Sequence, residues 1–482
     1  MSSSSPRSTD PAARVRRFHL ESLGCAKNQV DSELMIAALE RAGWERADGP
    51  DGADLLIVNT CGFISSAKKE SIETSLELKA RHPGRKLIMA GCLSQRYADQ
   101  LRVELPEIDA FLGAADPAGI VALADSLDRD VGGRPSAGMR GRPTRDDVTV
   151  PGSPPSTAEA APVAPAVPAR PYERTHLLSF PGSAYVKIAE GCDNRCTYCA
   201  IPLIRGELVS RDLGSVVAEV RGLLGRGITE LILIAQDLGS YGKDRGADAL
   251  PRLLEGISDI PGDFWVRLLY IHPDHFPREI LELQENDPRL LPYYDIPFQH
   301  AAPRILRAMG RRADPERSLE LLAEIRSRVP GAVIRSTFLT GFPGETDDDF
   351  DQLLAFQEKA RLDWLGVFTY SREEDTPAYA MKGRVTKAVA KARKAELEER
   401  QVPITAAALD ARVGQIVDVL VEERVEGEDL SIGRAYLQAP DVDGLVVLTA
   451  SRAPGSRVRA RVTKRNGVDL EADEIAPGEA DA

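Results

Sequence analysis

The sequence predicts an α/β protein with three folded parts: an N-terminal doubly wound parallel sheet, a central open (β/α)6 barrel and a small C-terminal antiparallel β-barrel. Strand and helix patterns alternate over residues 18–128 and resume over 178–401, which favours parallel sheets with crossover helices. Residues 412–482 change to short alternating apolar stretches broken by Gly, Pro and Asp. That change is typical of a small all-β domain.

The length and composition are those of a multidomain globular protein. At 482 residues the chain is too long for one ordinary domain, and 43% of its residues are hydrophobic and 28% charged. No apolar run approaches the ~18–20 residues that a membrane-spanning helix needs. The first stretch is charged but lacks the apolar core of a secretory signal. We therefore expect a cytoplasmic protein without a membrane partner.

The formal net charge of −13 constrains the partner. A protein that binds nucleic acid through its phosphates needs a basic surface. A negative net charge argues against nucleic acid as the direct substrate, although it does not exclude a local basic groove. It fits a basic partner better, and a ribosomal protein is one example.

The patterns divide the chain into four segments. Residues 16–128 form the N-terminal domain, 178–409 the central barrel and 412–482 the C-terminal barrel. The central segment holds six strand candidates, which predicts an open barrel rather than the closed eightfold form. Residues 129–175 are rich in Pro, Ala, Gly and Ser and have too little apolar surface to offset the entropy of ordering, so we predict a flexible linker.

Three cysteines of the N-terminal domain share one kind of position. Cys25, Cys61 and Cys92 each stand at the carboxyl end of a predicted strand. Ligands bind at that edge of open parallel sheets, so the three residues are predicted to converge. The alternative is three unrelated buried thiols. Core cysteines have no reason to share a strand-end position, and this favours convergence.

A second cysteine triad lies in the sequence GCDNRCTYCA, where Cys192, Cys196 and Cys199 follow a predicted strand with C-x3-C-x2-C spacing. Three thiolates on one loop can hold three irons of a cubane cluster, which leaves the fourth iron open. The alternative is zinc, but zinc loops usually combine a cysteine pair with further Cys or His residues. The nearest histidine, His176, is sixteen residues before Cys192.

This loop resembles the signature of the radical S-adenosylmethionine superfamily. The resemblance implies that a 4Fe–4S cluster on Cys192, Cys196 and Cys199 binds S-adenosylmethionine through its unique iron. An electron from the cluster would then break a carbon–sulfur bond and release a 5′-deoxyadenosyl radical. Tyr198 matches the aromatic position that lies near the adenine; without the motif, packing would explain it.

The resemblance continues along the chain. The cysteine-bearing sheet domain, the radical core and the terminal barrel together resemble the methylthiotransferases, over everything except the first ~15 residues and the linker. In that family the N-terminal cysteines, here Cys25, Cys61 and Cys92, ligate a second 4Fe–4S cluster that takes part in sulfur delivery. The C-terminal segment resembles a TRAM domain, which binds the macromolecular substrate.

Two branches of the family are candidates. The MiaB-like branch modifies an adenosine of transfer RNA, and the RimO-like branch modifies an aspartate of the twelfth small-subunit ribosomal protein. Several strings resemble the RimO-like branch: CAIPLIRG (199–206), YIHPD (270–274), LPYYDIPFQHA (291–301), MGRR (309–312), IRSTFLTGFPGE (334–345) and FTYSREEDTPA (368–378). Residues 412–482 contain nine Lys and Arg against fourteen Asp and Glu, which suits a basic protein better than RNA, although an acidic surface also serves solubility.

The resemblance implies a reaction in which hydrogen is abstracted from the β-carbon of the target aspartate. Sulfur from the second cluster then joins that carbon, and another S-adenosylmethionine supplies the methyl group. An electron donor such as flavodoxin or ferredoxin is implied. A radical route fits an unactivated C–H bond, which offers no handle to acids or bases. An alternative of another class is a non-catalytic, metal-stabilised protein that binds RNA or the ribosome.

Further candidates for cofactor contacts end other predicted barrel strands, the edge where such barrels place their sites. The GFPGE turn carries two glycines that could let backbone approach a ligand, although such a turn can be purely structural. These candidate residues are Gln236, Asp237, Gln299, His300, Gly341, Gly344 and Glu345.

Overall fold

The computed structural model describes residues 15–130, 172–312 and 314–476. Most of the predicted linker, 129–175, lies outside these described residues. The chain forms two compact units. Of the described residues, the first unit comprises 15–130 with 174–176, and the second comprises 172–173, 177–312 and 314–476.

The first unit contains a five-stranded, wholly parallel sheet in the order β2-β1-β3-β4-β5. Its elements are β1 (Arg16–Ser22), α1 (Ala26–Arg41), β2 (Trp44–Arg46), β3 (Leu55–Thr60), α2 (Ser65–Arg81), β4 (Lys86–Gly91), α3 (Cys92–Glu104), β5 (Ala110–Gly113) and α4 (Ile120–Asp130). The predicted doubly wound sheet is confirmed.

Burial explains the central position of β3. All six residues of its LLIVNT sequence are buried, as expected of a strand covered on both faces. The register pairs Ser22 with Asn59 and Thr60 with Gly91. The carboxyl ends of β1, β3 and β4 therefore lie side by side.

The second unit begins with a six-stranded parallel sheet in the order β6-β9-β10-β11-β12-β13. Its elements are β6 (Ser183–Lys187), β7 (Ala189–Glu190), α5 (Ile201–Arg205), β8 (Val209–Ser210), α6 (Leu213–Leu224), β9 (Glu230–Ile234), α7 (Leu250–Ser258), β10 (Trp265–Leu268), α8 (Glu279–Asn286), β11 (Leu290–Asp295), α9 (Pro303–Ala308), α10 (Pro315–Arg328), β12 (Val333–Thr340), α11 (Asp347–Ala360), β13 (Trp364–Thr369) and α12 (Lys387–Asp410). The strands follow one another in chain order, and within the described residues the edge strands β6 and β13 do not pair with each other. The sheet is therefore the predicted open (β/α)6 barrel.

The same unit ends in a closed five-stranded barrel in the order β14-β15-β16-β18-β17. Its strands are β14 (Ile416–Arg424), β15 (Ser431–Arg434), β16 (Val446–Leu448), β17 (Arg457–Asn466) and β18 (Asp469–Glu474). The small barrel is confirmed, but one pairing, β16 with β18, is parallel. Strand directions cannot alternate all the way around a ring with an odd number of strands. A fully antiparallel closed barrel of five strands is therefore impossible.

A buried ion-pair network joins the two barrels of this unit. Glu230 of β9 accepts hydrogen bonds from Arg267 of β10 at 2.8 Å and from Arg434 of β15 at 2.7 Å. Arg434 also donates to Glu422 of β14. The Glu230 and Arg267 residues are fully buried, so each charge depends on its partners for the solvation that water no longer gives.

Replacing Glu230 with glutamine should therefore destabilise the protein by about 3–5 kcal/mol, because two arginines would keep their buried charge without the carboxylate. Urea unfolding followed by circular dichroism measures this free energy. Glu474→Gln is the matched control: its partner Arg452 is exposed, and such pairs contribute only about 0–1 kcal/mol. Equal losses in both variants would contradict the role of the network.

The Glu230 network also predicts a pH dependence. Burial alone would raise the pKa of Glu230, but Arg434 and Arg267 hold it down at about 2. A carboxyl whose pKa is lowered by folding stabilises the native state above its unfolded pKa of about 4.3 and loses that contribution as the pH falls towards about 2. The stability difference between the native protein and Glu230→Gln should shrink across this window. A pH-independent difference would contradict the prediction.

Among the described residues, every helix is too short or too polar to cross a membrane.

Candidate active site

The N-terminal cysteines occupy the adjacent strand ends of the first unit. Cys25 is the residue before α1, Cys61 directly follows β3, and Cys92 is the first residue of α3 after β4. Their segments touch. A side chain on Gly62 would stand 2.8 Å from the Cys92 backbone, and one on Gly24 would stand 3.0 Å from the Cys61 Cβ. The structure therefore brings the three predicted segments together.

Asn28, which was not predicted from the sequence, connects these segments to one another. Its side-chain amide donates to the carbonyl oxygens of Leu23 at 3.1 Å and Thr60 at 2.9 Å. The Cys92 thiol donates to its Oδ1 at 3.2 Å. One buried side chain thus fixes the approach to each of the three cysteines.

The second triad lies on the loop between β7 and α5. The Cys192 amide donates to the Gly206 carbonyl at 3.1 Å, and the Cys199 amide donates to the Cys196 carbonyl at 3.1 Å. Burial raises the pKa of Cys192 to about 12 and that of Cys199 to about 12. Thiolates at these positions therefore need a cationic partner, and binding to iron would release their protons.

The donor set fits an iron–sulfur cluster. In such a cluster each thiolate binds a different iron, so the sulfurs need not meet at one point. Within the part of the chain that the structure describes, no group of three or more His, Cys, Asp or Glu side chains is arranged around a single ion position.

Asp237, after β9, anchors the cysteine loop. Its Oδ2 accepts hydrogen bonds from Asn194 of the loop at 2.9 Å and from His275 at 2.8 Å; Oδ2 also accepts one from Ser240, and Oδ1 accepts the amides of Gly239 and His272. Burial alone would raise the pKa of Asp237, but His275, Ser240, His272 and Asn194 hold it well below its usual range. Its oxygens are saturated by the protein.

Gln236 differs from its neighbour. Both polar atoms of its side-chain amide are buried, and neither has a hydrogen-bond partner among the described residues. Leaving a buried amide unpaired is costly, so such a group calls for an explanation such as a ligand. An amide offers a donor and an acceptor at the barrel edge where the cysteine loop also lies. It fits the polar groups of S-adenosylmethionine.

The GFPGE turn is held by its own glutamate. The Glu345 Oε2 accepts the amides of Gly341 at 2.7 Å and Phe342 at 3.1 Å, while its Oε1 accepts from Arg393. Gly341 and Gly344 have φ values of 78° and 85°, in the region that favours glycine. Glu345 therefore closes the turn with its own carboxylate, and a side chain on Gly341 would stand 2.5 Å from the Ala390 Cβ.

Tyr198 connects this turn to the cysteine loop. Its ring packs against the apolar cluster that contains Met309, Phe342 and Ala378. Burial raises the pKa of its hydroxyl, which therefore stays protonated. Two predicted elements far apart in sequence thus meet at one edge of the open barrel.

Strained backbone marks the same edge. Gln299, after β11, and Tyr270, after β10, both have a φ of 69°, which is rare for side chains other than glycine and clusters at functional sites. His300 accepts the Ala301 and Ala302 amides through Nδ1, so its buried Nε2 carries the proton, and that atom lacks a hydrogen-bond partner within the described ranges. Tyr270 was missed as a candidate, because backbone strain leaves no mark on the sequence.

Comparisons with known proteins agree with this architecture. Residues 17–113 match the uncharacterized protein family UPF0004, residues 186–356 the radical SAM superfamily and residues 413–475 the TRAM domain. Among solved structures, the radical S-adenosylmethionine methyltransferase TsrM from Kitasatospora setae is similar with a TM-score of 0.53 at 19% identity, covering 76% of this chain and 74% of that one. This likeness confirms the fold.

Full-length relatives are much closer in sequence. The ribosomal protein uS12 methylthiotransferase RimO of Treponema denticola is 45% identical, over 93% of this chain and 98% of the relative. The protein of the same name from Desulforudis audaxviator is 42% identical, over 95% and 97%. The chain therefore belongs to the RimO family of ribosomal protein uS12 methylthiotransferases, within the radical S-adenosylmethionine superfamily.

Proposed function

We propose that this enzyme attaches a methylthio group to the β-carbon of an aspartate in ribosomal protein uS12. The observation that carries the proposal is relatedness to uS12 methylthiotransferases along essentially the whole chain. The two cysteine triads support it, because the reaction needs both a radical source and a sulfur source.

Two 4Fe–4S clusters belong to the proposal. Cys192, Cys196 and Cys199 would hold the cluster that binds S-adenosylmethionine and supplies the 5′-deoxyadenosyl radical. The second cluster would be held by the N-terminal triad (Cys25, Cys61 and Cys92), where neighbouring strand ends bring the three segments together. Because only three thiolates face each cluster, one iron in each would stay open to a substrate or to sulfur.

The chain's other residues would orient the cofactor. Gln236 would form the hydrogen bonds that its buried amide otherwise lacks. Tyr198 and the backbone of Gly341 and Gly344 would line the adenine side, and Gln299 would contribute from the end of β11. Asp237 and Glu345 would act as positioning residues, since the protein already occupies their carboxylate oxygens.

The charge of the C-terminal barrel favours a protein substrate over transfer RNA. Basic residues concentrate on β17, the strand that could offer RNA a phosphate-binding surface. Three of them are already paired: Arg457 with Asp263, Lys464 with Glu471 and Arg465 with Asp410. The basic side chains of β17 outside these three pairs are a small part of a domain whose net charge is negative. By contrast, uS12 as a ribosomal protein is expected to be basic, which suits an acidic domain.

The remaining partners follow from the substrate. A ribosomal protein places the enzyme in the cytoplasm, and a one-electron carrier such as flavodoxin or ferredoxin would reduce the radical cluster. The carrier has to be reducing enough to drive a 4Fe–4S couple, whose potentials can be very low.

The test is a paired incubation. Anaerobically reconstituted enzyme is given S-adenosylmethionine, dithionite and sulfide with either uS12 or unmodified transfer RNA, and each product is analysed by mass spectrometry. We expect one uS12 aspartate to gain a methylthio group and the transfer RNA to stay unchanged. A modified adenosine with untouched uS12 would overturn the proposal, and a protein that cleaves no S-adenosylmethionine would favour the non-catalytic alternative.

A further inference from the structure

The MGRR segment, 309–312, forms the seat of the radical-cluster loop. The Thr197 amide donates to the Met309 carbonyl at 3.0 Å, and the Thr197 hydroxyl donates to the Ala308 carbonyl at 2.8 Å. A side chain on Gly310 would stand 2.7 Å from the Arg195 carbonyl. The loop that carries Cys196 therefore lies directly on this segment.

Arg311 brings a buried cation to the same place. The residue is 4% exposed, and its guanidinium donates to the carbonyl oxygens of Pro297 and Phe298. Its buried Nε has no hydrogen-bond partner among the described residues. The same guanidinium lies beside the Tyr198 hydroxyl and within electrostatic reach of Cys196 and Cys199.

Within the part of the chain that the structure describes, no carboxylate forms an ion pair with this guanidinium, and its hydrogen bonds to Pro297 and Phe298 go to backbone carbonyls. An arginine costs much free energy to bury without a counter-charge. Asp274 lies within electrostatic reach without forming an ion pair; the other nearby groups that can become negative are the sulfurs of Cys196 and Cys199, once they are ionised. Arg311 is thus placed to act as the positive counter-charge of a negatively charged cluster bound by the cysteine loop.

We infer that Arg311 is a positioning and tuning residue of the radical cluster: its charge favours the reduced form of the cluster, and its contact with Tyr198 steadies the adenine side. The inference rests on the cluster site of the proposed function. Taking up one electron changes a cluster on three thiolates from a net charge of −1 to −2. A fixed positive charge nearby stabilises that extra electron, most strongly where water is excluded.

The experiment measures the midpoint potential of the cluster. The background is the full-length chain with Cys25, Cys61 and Cys92 replaced by alanine, so that the radical cluster alone is titrated. Dithionite supplies the electron, and electron paramagnetic resonance follows the reduced form. For Arg311→Gln we expect the one-electron reduction equilibrium to fall about tenfold, a shift of about 59 mV to more negative potential. Arg311→Lys keeps the charge and should stay within about twofold.

The control is Arg312→Gln, which removes the neighbouring exposed arginine and should leave the potential unchanged. An unchanged potential in Arg311→Gln, or equal shifts in Arg311→Gln and Arg311→Lys, would overturn the inference. So would failure of both variants to retain iron, because a residue needed for assembly is not a tuning residue. The measurement needs no uS12, so a failure of the proposed methylthiolation would leave its outcome intact.

Discussion

Cys196→Ala should abolish cleavage of S-adenosylmethionine by the reconstituted enzyme. The change leaves two thiolates on a loop that needs three to hold a cubane with one open iron. Loss of a residue that only hydrogen-bonds to a metal ligand typically lowers activity by roughly 10–100-fold. Because Cys196 would itself be a ligand, we expect cleavage to fall by more than this. The measurement is the yield of 5′-deoxyadenosine under dithionite, quantified by chromatography.

The matched control is Arg195→Ala on the same loop. Arg195 is exposed, and its ion pair with Glu207 is exposed too, so this variant should cleave at nearly the native rate. Full cleavage by Cys196→Ala would show that the radical cluster is held elsewhere. Circular dichroism of both variants establishes that the fold is kept.

Replacing Cys25, Cys61 and Cys92 together with alanine should separate the two halves of the reaction. Cleavage of S-adenosylmethionine should continue, because the cysteines proposed to hold the radical cluster lie on the second unit, while methylthiolation of uS12 should fall below detection. Iron content should drop by half, from about eight to about four atoms per chain, as expected for the loss of one of two 4Fe–4S clusters. Iron analysis and mass spectrometry of uS12 measure both effects.

In this triple variant the continued cleavage is itself the control for folding and cofactor binding. Cys61→Ala alone should give the same separation, since two thiolates at neighbouring strand ends are too few for the second cluster. A triple variant that still forms methylthiolated uS12 would refute the second cluster as the sulfur site.

The sequence could predict both triads because each follows a local pattern. Buried runs such as LLIVNT mark their own strands, and the rule that ligands bind at the carboxyl edge of parallel strands then places Cys25, Cys61 and Cys92 together. The C-x3-C-x2-C spacing needs no tertiary information at all. These features were accessible because the strands and the C-x3-C-x2-C loop are each encoded by residues that are near neighbours in sequence.

The contacts around the triads could not be predicted, since they join residues that are distant in sequence. Thr197 meets Ala308 across 111 positions, and Asn194 meets Asp237 across 43. Asp237 was expected to orient the cofactor directly. The structure shows that protein donors already occupy both of its carboxylate oxygens. The parallel pairing of β16 with β18 follows from closing an odd-numbered ring, which no single strand sequence reveals.

The most direct test of the proposed reaction uses uS12 that carries deuterium on the β-carbons of its aspartates. After incubation with reconstituted enzyme, S-adenosylmethionine, sulfide and dithionite, tandem mass spectrometry locates the modification and measures deuterium in 5′-deoxyadenosine. We predict a methylthio group on one aspartate and deuterium transferred to 5′-deoxyadenosine. An unmodified uS12, or a methylthiolated aspartate without that transfer, would contradict hydrogen abstraction from the β-carbon by this enzyme.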